Sequence, residues 1–483
     1  MTENEFYNLR KVMKILFVNK FLDKHTIYRV PLGILYLSSV LKNNGHEVFI
    51  CESSRENVFK KIKEVKPDII AYSVRTGFHR YYIDLNKELK KKFKFFAIFG
   101  GPHATFFPEM IEEDGIDCVA LGECESALVD LLNRFNKNQI WFETKNFWFK
   151  NDEGKIFKNP LRDLEQNLDR ISFPDRLLLK DFKEVRLSKI HNFITARGCP
   201  YNCSYCFNHQ LKKKYAGQNY LRRRSVDNVI TEIEQVADKY NLKRVHFEDD
   251  TFNMNKQWLR EFVSKYPKIP FKCNIRANLV DEEVISLLKE ANCISVTFAI
   301  EAGNDRIRNE ILHRNMTKEQ IVNCARLLKK YKINFITENI LANPTSILSD
   351  DLETLDLNLV CQPDYPTASL LQPYPHTEVF NIALKHNQFA KENIDQLTSF
   401  FVTSPLEIPN RRERDNLRKL FAIVVGFPFL RKYVNFLIRR KKLGFIYSFV
   451  YGLWRPYCLI FKIMPHRLSL REFCWLIRRY LTK

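Results

Sequence analysis

"ITARGCPYNCSYCFN", residues 194–208, places Cys199, Cys203 and Cys206 within eight positions, while the other nine of the chain's 12 cysteines are scattered. The preceding "HNFITARG" has the composition of a β-strand, so the spacing C-x3-C-x2-C puts three thiols in the loop at a strand's carboxyl end. Thiolates bind soft metals and iron–sulfur clusters. A structural zinc site closes its shell with four protein ligands, usually as two short pairs. Here no fourth Cys or His recurs at that spacing, although His209, three residues beyond Cys206, can complete a zinc shell. A ferredoxin-type cluster needs a fourth thiolate, and Cys273 lies 67 residues further on. A cluster on three thiolates instead leaves one iron open to a substrate or cofactor.

Outward from this loop, residues 191–390 alternate apolar strands with amphipathic helices: "RVHFEDD", "DEEVISLLKEAN", "ISVTFAIEAG", "TKEQIVNCARLLKKYK", "NFITENIL", "DDLETLDLNLV" and "ASLLQPY". About six βα units make a partial barrel, with functional groups expected at the carboxyl ends of its strands. In "SVDNVITEIEQVADKYN" Ser225 caps a helix whose Val226, Val229, Ile230, Ile233, Val236 and Ala237 share one face. Residues 12–140 repeat the strand, small-residue loop, helix theme, which predicts a Rossmann-like open parallel sheet with its ligand crevice outside the carboxyl ends of the strands. The loops there are Ser73–Phe78, Gly100-Gly101-Pro102-His103 and Gly122-Glu123. Residues 141–190, with a hairpin signal in "NDEGKIFKNP", read as a linker. The fold class is therefore α/β: open sheet, partial (β/α)6 barrel, and a basic helical region over 391–483.

The net charge of +21 is uneven: from Arg411 onward there are 18 Lys/Arg against Glu413, Asp415 and Glu472, so the first 410 residues carry only +6. Basic residues alternate there with Phe, Tyr, Trp and Leu, and the longest uncharged runs, Leu443–Trp454 and Leu420–Leu430, fall short of a bilayer span. Two expectations stand side by side for 411–483. Its helices lie on an anionic membrane surface, or its aromatic residues pack on the barrel and only the Lys/Arg are wet. Nucleic acid is the third partner considered, and the clustered aliphatic residues argue against it. The amino-terminal stretch has a polar run and no signal-peptide core, so a cytoplasmic location, or one on the inner face of the membrane, is expected.

"RGCPYNCSYCFN" directly after a first strand resembles the cluster motif of the radical S-adenosylmethionine (SAM) superfamily. That resemblance implies that Cys199, Cys203 and Cys206 hold a [4Fe–4S] cluster whose fourth iron is chelated by SAM. It also implies reductive cleavage of SAM to a 5′-deoxyadenosyl radical, with an external one-electron reductant such as flavodoxin or ferredoxin. By the same resemblance Glu248, Asp249 and Asp250 in "FEDDTF" sit near the SAM amino end, acidic groups suiting an ammonium. The alternative for the acidic pair is a solvated turn. In "FAIEAGNDRIRNEILHRNMTKEQI" Glu301 falls near the SAM ribose or amino acid, and Arg314 faces a carboxylate or pairs with Glu310 one turn earlier. Two segments depart from the family: "PYPHTEVF" has His376 where the family has glycine, and "LANPTSILSDD" is a worn version of its Pro-Gly-Glu-Thr turn.

An open α/β domain ahead of such a barrel, with "GGPHATFFPEM" and "DCVALGECESAL", resembles the cobalamin-binding subgroup. Gly100, Gly101, His103, Gly122 and Glu123, with Ser73 and Thr76 behind them, are the implied cobalamin contacts. The Asp-x-His-x-x-Gly motif that supplies a lower cobalt ligand is absent. His103 is read as a ligand to cobalt, a hydrogen-bonding partner of the corrin edge, or a loop residue. The implied reaction is methylation of an unactivated carbon of a small-molecule or lipid substrate: a lipid, isoprenoid, glycan or secondary metabolite. The alternatives are a non-methylating cyclase or oxidoreductase, and an RNA-modifying methylthiotransferase. The last carries a second cluster on three amino-terminal cysteines, and the spacing of Cys51, Cys118 and Cys124 does not match it.

Overall fold

Short apolar strands interleaved with amphipathic helices bury their apolar faces by building parallel sheets. The computed structural model describes residues 12–20, 30–137, 139–182, 189–390, 397 and 404–463. They fall into two units: Met1–Ser188 with Tyr215–Asn219, and Lys189–Lys214 with Tyr220–Lys483.

The first unit holds β1 (Lys14–Asn19), α1 (Leu32–Asn43), β2 (Glu47–Glu52), α2 (Arg55–Val65), β3 (Ile69–Ser73), α3 (His79–Lys90), β4 (Phe96–Gly100), α4 (Pro102–Phe106), β5 (Cys118–Ala120) and α5 (Glu125–Asn136). Its sheet runs β2-β1-β3-β4-β5 in parallel. The chain leaves β1 toward β2 and returns on the other side to β3, so the crevice opens between the carboxyl ends of β1 and β3. The predicted Rossmann-like sheet is thus present. Residues from 141, read as a linker, carry the hairpin β6 (Phe147–Lys150) and β7 (Ile156–Lys158), which pairs antiparallel with β5 and extends the sheet. Phe147 and Phe149 are fully buried there, which explains why the segment docks rather than spans.

The second unit contains β8 (Ile190–Phe193), β9 (Ala196–Arg197), α6 (Phe207–Lys214), β10 (Arg222–Arg223), α7 (Val226–Lys239), β11 (Arg244–Phe247), α8 (Lys256–Lys265), β12 (Phe271–Asn274), α9 (Glu282–Glu290), β13 (Cys293–Glu301), α10 (Lys318–Lys330), β14 (Asn334–Leu341), α11 (Leu348–Cys361), β15 (Tyr365–Pro366), β16 (Ser369–Leu370) and α12 (Glu378–Lys385). Six parallel strands in the order β15-β14-β13-β12-β11-β8 form the expected partial barrel. Val245, Phe247, Phe271, Cys273, Val296, Phe298 and Phe335 turn outward into the core beneath the helices. The period of two sends their neighbours to the opposite face. The register aligns Asn192, His246, Lys272 and Ser295 across four strands, and Ala299 with Glu338 on two. The inner face is therefore polar and charged.

Ser225 caps α7, accepting from the Asn228 N–H at 3.2 Å, and the predicted face is buried except at Ala237, which is exposed. Glu232 is buried in its place because Arg224 meets it at 2.5 Å. Beyond the barrel, α13 (Arg411–Gly426), α14 (Val434–Ile438) and α15 (Gly444–Tyr457) supply the expected helical region; residues 464–483 lie outside the described residues. Leu417, Leu420, Phe421 and Val424 of α13 pack on Leu341, Leu355, Ala368 and Leu370. Arg414, fully buried, donates to the Ser346 carbonyl at 2.6 Å and lies 3.5 Å from Asp351.

After β13 the chain wraps the fully buried Arg308, whose guanidinium donates to the carbonyls of Met316, Ala302 and Gly303 at 2.8, 3.1 and 3.1 Å. Gly303 here abuts the backbone of α11: a Cβ would stand 2.2 Å from the Glu353 carbonyl oxygen. A side chain cannot be accommodated without moving a helix. Gly303→Ala is expected to destabilise the second unit by about 3 kcal/mol, seen as a lowered thermal unfolding midpoint; an unchanged midpoint would contradict this packing.

Candidate functional site

The three-cysteine loop follows β8 and β9, where a parallel strand hands its carboxyl end to the barrel's functional edge. Its backbone is tied on both sides. Ser204 N–H donates to the Leu312 carbonyl at 3.2 Å, its hydroxyl donates to the Ile311 carbonyl at 2.6 Å, and its own carbonyl accepts from Val379 N–H at 3.1 Å. Cys203 is buried, and Cys199 and Cys206 are half-buried. Burial, Asp250 and the other two cysteines push the Cys206 thiol up to about 12, and burial, Asp250 and Cys203 raise Cys199. Three thiols whose charges act on one another, with a carboxylate adding to them, resist joint ionisation unless a cation neutralises them. That donor set suits an iron–sulfur cluster. Among the described residues no three His, Cys, Asp or Glu side chains already converge at ligating distance. Burial and Lys213 lower the His209 pKa, and its other charged neighbours are Glu378, Lys212 and His313, not the thiols. The zinc alternative gains nothing from this surrounding.

A buried polar chain adjoins Cys203. Arg314 donates to Cys203 Sγ at 3.5 Å, to Tyr205 Oη at 3.2 Å and to the Ala299 carbonyl at 3.0 Å. Tyr205 Oη donates in turn to Glu301 Oε1 at 2.7 Å. Arg276 reaches the same sulfur at 3.8 Å and stacks over the Tyr201 ring at 3.5 Å. Arg314 therefore bonds to Tyr205 and Cys203, not to Glu310. Its Nε is buried with no partner, an orphan donor that suits an incoming carboxylate. Burial pushes the Glu301 carboxyl up to about 7 against the pull of Arg314, and the residue holds the left-handed φ of +64° where β13 shifts register. His376, standing where the family has glycine, also takes a positive φ of +68°. The backbone of that turn is thus kept at the cost of local strain.

The "EDD" residues separate. Asp249, buried, accepts from Thr195 N–H at 3.1 Å and from the Thr195 hydroxyl at 2.7 Å, with Arg223 nearby. It ties the end of β8 to that of β11. Glu248 accepts from Asn192 Nδ2 and lies 3.3 Å from His246 Nδ1, facing the lumen. Asp250, exposed, is the one whose charge reaches Cys199 and Cys206. Sequence reasoning missed Tyr205, Arg276, Arg223, His246, Lys272 and Glu338. Burial holds His246 down at about 3 with Lys272 adding to it, and burial lowers Lys272 against Glu338 and Glu248. The available signal was the polar alternation in "RVHFE", "FKCNIR" and "NFITEN".

In the first unit Ser73, Thr76, Gly100, Gly101, Gly122 and Glu123 lie half-buried at the carboxyl ends of β3, β4 and β5, the edge where an open sheet binds a ligand. This placement fits a corrin. The glycines have internal reasons too. Gly101, at φ +94°, brings Val74 backbone within 3.0 Å of a Cβ position, and Gly122 does the same for the Tyr215 hydroxyl. His103 is buried, 3.1 Å from Thr76 Oγ1 and stacked between His79 and Phe107 at 4.2 and 4.6 Å. Cys51 on β2 and Cys118 on β5 are four strand spacings apart, about 19 Å, too far for one cluster; both thiols are buried and pushed up.

Because its folded pKa lies above the ordinary carboxyl value, Glu301 contributes stability that is complete below about pH 4.5 and lost as pH rises through 7. Denaturation from pH 5 to 8 should therefore show wild type losing on the order of 2–3 kcal/mol relative to Glu301→Gln. Parallel pH profiles would show Glu301 to be ordinary.

Residues 193–357 match the radical SAM superfamily and residues 28–132 the B12-binding domain. The chain is 29% identical over 456 residues to an uncharacterized methyltransferase of Pyrococcus horikoshii, covering 90% of this chain and 94% of the relative. It is 24% identical over 376 residues to the cytidylyl-2-hydroxyethylphosphonate methyltransferase of Streptomyces wedmorensis, covering 64% and 69%. Its fold is similar to the radical SAM methyltransferase TsrM from Kitasatospora setae, with a TM-score of 0.65 at 19% identity over 77% of this chain and 76% of that one. The two domains imply a [4Fe–4S] cluster with SAM in the barrel and cobalamin on the sheet. The chain carries a radical SAM superfamily domain and, ahead of it, a B12-binding domain.

Proposed function

We propose that the protein methylates an unactivated carbon of a small-molecule or lipid substrate (a lipid, isoprenoid, glycan or secondary metabolite). The observation that carries this reading is the joining of a B12-binding sheet and a three-thiol barrel in one chain, aligned over nine tenths of its length with a relative named as a methyltransferase. When bound, cluster and SAM supply a hydrogen-abstracting radical, and cobalamin supplies an activated methyl group. A flavodoxin or ferredoxin would deliver the electron.

Cys199, Cys203 and Cys206 hold the cluster, and the N–H groups of Arg276 and Arg314 at Cys203 stabilise its thiolate. Arg314, with its free Nε, binds the carboxylate end of SAM, and Glu301 and Tyr205 hold that guanidinium in place. Asp250 and Glu248 face the SAM amino group, while Asp249 acts through Thr195 as a positioning residue. Ser73, Thr76, Gly100, Gly101, Gly122 and Glu123 contact the corrin, and His103 braces their loop. Lys272 of β12 and Glu338 of β14, both on the lumen face, orient the substrate.

Anaerobically reconstituted protein should carry about four irons per chain and cleave SAM reductively, and each of Cys199→Ala, Cys203→Ala and Cys206→Ala should lose both. Cleavage retained in all three variants would remove the mechanism. With methyl-deuterated SAM and a cell extract of the source organism, a metabolite or lipid should gain the label only when cobalamin is present. Label-free turnover would instead favour a cyclase or oxidoreductase. Lys272→Met should lower labelling by about a hundredfold while leaving substrate-free SAM cleavage within a few-fold; equal losses in both would place Lys272 in the fold and not at the substrate.

A further inference from the structure

The region after α13 exposes its apolar residues. α15 continues through Cys458–Ile463, and Phe445, Phe449, Leu453, Tyr457 and Phe461, each four residues from the last, form one outward stripe. Phe445 is 82% exposed and Phe449 54%. Beside it Phe427, Phe429, Tyr433 and Phe436 are exposed as well, and ring contacts run unbroken from Phe429 through Phe427, Trp454 and Tyr457 to Phe461. With about 200 Å² per large aromatic side chain, half-exposed residues in this number present on the order of 1,000 Å², beyond the few hundred typical of a monomer surface.

The stripe belongs to an anchored helix. On the other side of α15 Tyr447 donates to the Leu437 carbonyl at 3.0 Å, Trp454 Nε1 donates to the Ala422 carbonyl at 3.1 Å, and Cys458 is buried. The helix presents its apolar face from a fixed platform.

Charge chooses the occupant. Residues 427–463 hold eight Lys/Arg and no Asp or Glu. Arg431 is used internally on Asp356, but Lys432, Arg439, Arg440, Lys441 and Lys442 are solvent-facing or nearly so. Arg440 lies over the Phe436 ring at 3.8 Å and Lys432 over Tyr433 at 4.9 Å, basic heads set beside exposed rings. An isologous pairing of two copies would press like charges together. An anionic bilayer complements both features at once, apolar side chains entering the acyl boundary and cations meeting head groups. Among the described residues no helix is long and apolar enough to cross a membrane, so the contact is with one leaflet.

We propose that residues 427–463 form a docking surface for an anionic lipid leaflet. The proposal rests on this surface alone and is independent of the reaction assigned to the barrel.

Full-length protein would be floated with vesicles of phosphatidylcholine alone and with vesicles in which about a third of the lipid is phosphatidylglycerol, at low and high salt. Wild type should float with the anionic vesicles, less so at high salt, and only weakly with phosphatidylcholine. The triple variant Phe445→Ser, Phe449→Ser, Leu453→Ser and the charge variant Lys441→Glu, Lys442→Glu should each bind at least about tenfold less. Their circular dichroism and thermal midpoint should match wild type, because every substituted side chain is turned outward. Equal flotation of wild type and both variants would overturn the proposal. So would absence of flotation with a molar mass by light scattering that doubles in wild type and not in the triple variant, which would assign the face to a second copy. Wild type that neither floats nor associates would equally overturn it, leaving residues 464–483 or a protein partner as the cover.

Discussion

Parallel strands deliver all their carboxyl ends to one edge of a sheet, and this protein depends on that constraint twice. In the barrel it brings the cysteine loop after β9, Glu248–Asp250 after β11, Arg276 after β12 and Glu301 at the end of β13 to one rim. In the open sheet it aligns Ser73, Gly100 and the Gly122 loop. No single segment carries a site, because each strand contributes one or two groups and the hydrogen-bond register decides which groups meet. The helices on the outer face make this possible, since their burial of Phe247, Phe271 and Phe298 leaves the inner face free for polar residues.

Around Cys203 the energetics favour order over stability. Two buried guanidiniums and a buried carboxyl meet around a half-buried phenol, and burying charge is expensive unless every group is paired. Most are: Arg314 meets Cys203, Tyr205 and Ala299, and Tyr205 meets Glu301. What remains unpaired, Arg314 Nε, marks where the protein has left an interaction to be completed. The positive φ of Glu301 and His376 lies on the same rim. Strain of this kind persists only where the surrounding packing over-determines it, as the wrap of chain around Arg308 and the close contact at Gly303 do here.

The carboxyl-terminal helices pack on the barrel only in part, so the expectation that their aromatic residues are all covered does not hold. One face packs on the barrel through α13 and the inner side of α15, while the other keeps its aromatic residues in solvent beside basic ones. A segment can do both because a helix separates its residues by angle, so Phe445, Phe449 and Leu453 stay in solvent while Tyr447 and Cys458 turn inward.

Local pattern alone determined a good deal. Strand and helix alternation, with β-formers ending at small-residue loops, foretold the open sheet and the six-stranded barrel, and C-x3-C-x2-C after a strand foretold three thiols in a loop at the barrel's edge. The tertiary structure decided what local pattern does not encode. It drew "NDEGKIFKNP" into the sheet, because an edge strand accepts any hairpin with apolar residues to bury. It tied Asp249 to Thr195 and left Asp250 exposed, although the two are adjacent and chemically alike, because Asp249 turns into the packing between β8 and β11. It also brought Arg276 and Arg314 to Cys203 from 73 and 111 residues away. Period and propensity are properties of neighbours along the chain, whereas a buried charge finds its partner through register and packing, and those are settled only when the sheets close.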